Sequence, residues 1–83
     1  MTRYQLHRYI SAYERHGDAH ISDIEFVAVP SLEFLQALFN LPSDNPMYDV
    51  GAIDPHIAEK LRPFLPFALD LEKHAYFLEC DQI

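Results

Sequence analysis

All six prolines of this chain fall between residues 30 and 66, and they cut that stretch into pieces too short for any long helix. A proline inside a helix removes an N–H, clashes with the preceding turn and pushes the residue before it out of the α region. Pro30, Pro42, Pro46, Pro55, Pro63 and Pro66 therefore leave two helical windows, one from Pro30 to Pro42 and one from Pro55 to Pro63. Both windows carry start signals. Ser31 suits an N-cap, and Leu32, Leu35, Leu38 and Phe39 follow at three- and four-residue spacing, which predicts an amphipathic helix ending by Leu41. Asp54 is a carboxylate cap with Pro55 at the first helical position, and Ile57, Ala58 and Leu61 give an apolar stripe over residues 55–62. Pro66 keeps Phe64-Leu65 extended, and residues 42–53 between the windows are turn-rich with no period. An irregular connection of that length is near the upper end of ordinary loops and is often functional.

The proline-free flanks alternate instead. Tyr4, Leu6 and Ile10 fall on one side of residues 2–11, interrupted by Arg8, with Arg3, Gln5, His7 and Ser11 on the other. Ile24, Phe26 and Ala28 predict a second strand over 21–29, its far end covered on both faces because Val27 and Val29 break the polar half. Gly17 is the natural position for a positive φ in the reversal between them. Residues 75–81 fit either period, and a strand is favoured because a lone hairpin is marginal in water. The expectation is a single α+β domain over 1–83, in the order β-β-α-α-β. It has a three-stranded antiparallel sheet and two short helices packed on one face. Tyr4, Leu6, Ile10, Ile24, Phe26, Leu35, Leu38, Phe39, Ile57, Leu61 and Leu78 are its predicted core.

Composition narrows the chemistry. Thirteen Asp and Glu against six Lys and Arg give a net charge of −7, which disfavours direct nucleic-acid binding because phosphate contacts need cations. Eleven Phe and Tyr argue against a disordered acidic chain. The longest apolar run, Phe26 to Val29, is far short of a membrane span, and Met1 to Ile10 holds no signal-peptide core. A single cysteine, Cys80, is compatible with the cytoplasm, and its neighbours Glu79 and Asp81 oppose a thiolate, so a buried structural thiol is expected. Two glycines cannot build a phosphate-cradling loop. His16 and His20 have metal-like spacing near Asp18 and Asp23, but in a hairpin loop that spacing guarantees nothing. No catalytic residue, cofactor or metal is predicted.

Charge distribution is more informative. From His16 to Glu59 there are eight carboxylates and not one Lys or Arg. This is either a solvated acidic surface or one complementary to a basic partner, such as a cationic enzyme that normally binds nucleic acid. Within it, Asp44-Asn45-Pro46-Met47-Tyr48-Asp49 sets an amphipathic aromatic between two carboxylates. Met47 and Tyr48 could alternatively cap the core beneath the loop.

Three segments, Pro30-Ser31-Leu32-Glu33-Phe34-Leu35-Gln36-Ala37-Leu38-Phe39, the Asp44–Asp49 loop and Tyr76-Phe77-Leu78-Glu79, together resemble a family of small bacterial domains of unassigned activity. In that family a strand pair leads into an S-L-E-x-L helix and a D-x-P-M-Y loop. Such domains are similar to immunity proteins encoded beside polymorphic toxins, including those of contact-dependent growth inhibition. The resemblance implies a cytoplasmic antitoxin that neutralises a cognate toxin domain and has no catalytic residues of its own. A cationic nuclease plugged by an acidic surface suits the charge best. Asp18, Asp44, Tyr48, Asp49 and Asp54 are the candidate toxin-binding residues. The alternative is an acidic interaction or regulatory module with a different basic partner.

Overall fold

The computed structural model describes residues 6–82. The chain runs β1 (Leu6–Glu14), β2 (His20–Glu25), α1 (Leu32–Leu38), β3 (Gly51–Ala52) and α2 (Pro55–Leu61). A 3₁₀ turn (Arg62–Phe64) and β4 (His74–Gln82) complete it. The result is an α+β fold whose antiparallel sheet has four strands in the order β2-β1-β4-β3. The expected three strands are thus corrected to four. A two-residue strand is too short to show alternation, so β3 lay hidden in the stretch read as loop.

Period-two geometry explains the core. Ile10 pairs with Ile24 on one side and Leu78 on the other, and Ala12 with Tyr76, so one sheet face collects all five. Leu35 of α1 and Ile57 and Leu61 of α2 belong to the same buried cluster, which puts both helices over that face. Ile10, Leu35 and Leu61 are fully enclosed. The helices begin as predicted: Ser31 Oγ accepts from Phe34 N–H at 3.1 Å, and Asp54 Oδ1 from Ile57 N–H at 2.8 Å. α1 ends before Pro42 is reached. Asn40 takes a left-handed φ of 57°, with Asn40 N–H bonded to Ala37 O and Leu41 N–H to Gln36 O, a Schellman closure.

Several expectations move. β1 extends to Glu14; residues 2–5, and with them the predicted core residue Tyr4, lie outside the described residues. Leu6 is exposed at the strand end. β2 stops at Glu25, and Val27 and Val29 are exposed where a doubly covered strand was expected. Asp18, not Gly17, adopts the positive φ, at 59°, because an Asp side chain tolerates that region. Cys80 is half-buried instead of buried. Phe26, Leu38 and Phe39 pack at the margin of the core, while Ala12, Met47, Ile53, Leu65 and Tyr76 join its buried centre. Among the described residues, no helix is long and apolar enough to cross a membrane.

Candidate interaction surface

The connection from Leu41 to Val50 has no secondary structure of its own, yet five side-chain hydrogen bonds fix its backbone. Arg8 lies on the core-facing side of β1, and its fork donates to Met47 O at 2.9 Å and Pro46 O at 3.0 Å. Gln36, 5 % exposed in α1, donates both amide protons, to Asn45 O at 2.7 Å and Ser43 O at 3.1 Å. Two carbonyl acceptors settle which end of that amide is the nitrogen. Within the loop, Asn45 N–H bonds Pro42 O, and Asn45 Oδ1 accepts from Met47 N–H at 2.8 Å, an Asx turn. Met47 has a φ of 56°, a conformation costing a non-glycine residue on the order of 1–2 kcal/mol. Burial of its side chain to 5 % exposure, together with the Arg8 and Asn45 bonds, holds it there.

The two sequence alternatives for Met47 and Tyr48 therefore split. Met47 plugs the core, whereas Tyr48 stands 61 % exposed, its ring beside Leu6, Cys80 and Gln82 at one end of the sheet. Asp44, Asp49 and Val50 are exposed on the same loop, and Asp49 and Val50 border a depression floored by Phe39 and Met47. Asp44, Tyr48 and Asp49 are thus all exposed on one loop, with Tyr48 and Asp49 at two different depressions. Asp54 is exposed too, but one of its oxygens is committed to the α2 cap. Asp18 is set apart. It lies in the β1–β2 turn next to Glu14, at the opposite end of β1 from Leu6, about 26 Å away at ~3.3 Å per residue.

Among the described residues no helix covers the second sheet face, which carries a polar ladder. Tyr9 Oη donates to Asp81 at 2.9 Å, Ser11 Oγ to Glu79 at 2.7 Å, and His7 pairs with Glu25 at 2.6 Å. The hydrogen bond to Asp81, with burial second, pushes the Tyr9 phenol up to about 12. His20 pairs with Asp23 at 2.8 Å, and among the described residues no three His, Cys, Asp or Glu side chains gather as a metal site.

Sequence reasoning missed the clamp. Its signals were the two polar exceptions in apolar patterns: Arg8 interrupting β1, and Gln36 one turn after Leu32 on α1.

These features define a small α+β domain with an open sheet face and one clamped, acidic, aromatic-bearing loop. The family of the domain of unknown function DUF7683 matches residues 7–79, and the chain belongs to it. That span takes in Arg8, Gln36 and the whole loop. No curated protein matches the chain.

Proposed function

We propose that this protein is an immunity-type antitoxin that binds a cognate toxin domain, a cationic nuclease, and neutralises it by seating the 41–50 loop over the active site. One observation carries the reading. The loop's backbone is clamped by Arg8 and Gln36, yet it presents Tyr48, 61 % exposed, between exposed carboxylates. Binding costs include ordering loops and side chains, and a loop already held in place avoids much of that cost. Tyr48 is the anchor, with large area and few rotatable bonds. Asp44 and Asp49 stand where substrate phosphates would lie and set orientation and encounter rate, with Asp54 behind them and Asp18 reaching the partner at the far end of the sheet. Residues 16–59 contribute no Lys or Arg to this surface, and the Arg8 guanidinium that reaches the loop is held on the Pro46 and Met47 carbonyls.

The test uses the protein encoded by the adjacent gene. Co-expression should restore growth and the two products should copurify as a stoichiometric complex. Tyr48→Ala should speed dissociation and cost about 2–4 kcal/mol of affinity. An Asp44→Asn, Asp49→Asn double variant should slow association at low salt and flatten its salt dependence. Full protection by the double variant with an unaltered association rate would overturn the acidic plug. No binding to the neighbouring product, with tight binding of another basic protein by the same loop, would replace the antitoxin reading with the regulatory module.

A further inference from the structure

We propose that the depression at the β1–β2 end of the open sheet face is a receptor for one guanidinium group, an arginine side chain of the basic partner. The space is about 420 Å³ and open to solvent on one side. Tyr13 and Phe77 meet there edge-to-face, ring centroids 5.7 Å apart at 79°, and form an aromatic corner, with Val50 from the clamped loop beside it. Glu14, Asp18 and Glu79 surround the corner against one cation, Arg15, whose Nε is already donated to Leu71 O at 2.7 Å.

Ion pairing separates these carboxylates from two of their neighbours. Elsewhere around this sheet face Asp23 and Glu25 each hold a histidine, whereas Asp81, like Glu79, accepts only from a hydroxyl. Glu14, Asp18 and Glu79 form no ion pair among the described residues, and Glu79 has only the Ser11 hydroxyl on one oxygen. An aromatic corner where three carboxylates without ion-pair partners outnumber one arginine is the environment a guanidinium prefers. It is planar, stacks on rings, is more weakly hydrated than an ammonium and offers forked donors to carboxylates. Val50 ties the receptor to the loop, so a partner gripping Tyr48 and a partner inserting an arginine here would span the β3 side of the sheet.

That the guanidinium belongs to a toxin rests on the antitoxin reading, but the receptor itself is tested on the isolated chain. Isotope-labelled protein is titrated at low salt with N-acetyl-arginine amide and followed by amide chemical shifts. The expected result is saturable, millimolar binding mapped to Tyr13, Val50, Phe77 and Glu79 and weakened by salt. N-acetyl-citrulline amide, equal in shape but uncharged, should not bind, and N-acetyl-lysine amide should bind more weakly. Glu79→Gln, which keeps an acceptor for Ser11, and Phe77→Leu should each weaken binding roughly two- to fivefold. Absence of saturation, equal binding of the citrulline or lysine analogue, or shifts confined to Tyr48 and Asp49 would overturn the receptor. Failure here leaves toxin binding by the loop standing, and failure to find a toxin leaves this titration unchanged.

Discussion

Replacing Arg8 by Met removes the guanidinium while keeping an apolar stem over the core, so it isolates the clamp. The side chain makes two hydrogen bonds, to Met47 O at 2.9 Å and Pro46 O at 3.0 Å. Bonds to a charged group contribute about 1.5–3 kcal/mol each when the alternative is an unsatisfied acceptor. Pro46 is exposed and water can replace its bond, whereas the Met47 bond is part-buried. The net cost is therefore about 2 kcal/mol, close to one charged bond. At roughly 4–8 °C per kcal/mol for a domain of this size, thermal unfolding should move down by about 8–16 °C. The second readout is local. With its carbonyl released, Met47 can leave its left-handed conformation, so exchange of its amide hydrogen, now bonded to Asn45 Oδ1, should quicken. Arg8→Lys should fall between the two, because an ammonium replaces the planar fork with a single point of contact. A melting temperature within about 2 °C of the parent, with Met47 protection intact, would show that burial of Met47 alone holds the loop.

Gly51→Ala should destabilise the fold by about 1–3 kcal/mol in chemical denaturation. A Cβ there would lie 2.8 Å from Phe39 Cε2, so an unchanged midpoint would mean the ring yields freely. Asp54→Ala should cost about 1 kcal/mol through loss of the α2 cap, while Asp54→Asn should be close to neutral. Equal losses would assign Asp54 a stabilising role through its charge instead. Tyr9 makes stability fall as pH rises. Its phenol ordinarily ionises near 10.0 and is held to about 12 in the folded chain, so its contribution is whole below the lower value and is lost between the two. Phenolate absorbance should show a late-titrating component that moves back toward the ordinary range in Asp81→Asn, and no change in that variant would refute the Tyr9–Asp81 bond as the cause.

Much of the fold was legible because its signals are local. Ser31 and Asp54 announce the helices by cap chemistry, and Ile10, Ile24 and Leu78 reveal one sheet face by period two. What was hidden depends on contacts between distant segments. β3 exists because Gly51 and Ala52 pair with Leu78 and Phe77, and because a residue without Cβ lets the Phe39 ring approach; neither condition leaves a periodic trace around residue 51. The sequence points to Gly17 as the conformationally special residue, but its φ is ordinary and the Glu14 carboxylate occupies the space a Cβ would need. A glycine can thus mark close approach as readily as a left-handed turn.

The candidate surface divides along the same line. Tyr48 and its flanking carboxylates are visible in the sequence because polarity and turn propensity place them outside the core. Their fixed backbone is supplied by Arg8, far away in sequence, and by Gln36 on the helix just before the loop, and both look like errors in otherwise apolar patterns. Both positions cost the core an apolar side chain. A buried amide is tolerated only where its hydrogen bonds are satisfied, and Gln36 finds two loop carbonyls. Two core-facing positions given to polar anchors hold the loop's shape while its outer side chains, Asp44, Tyr48 and Asp49, stay exposed.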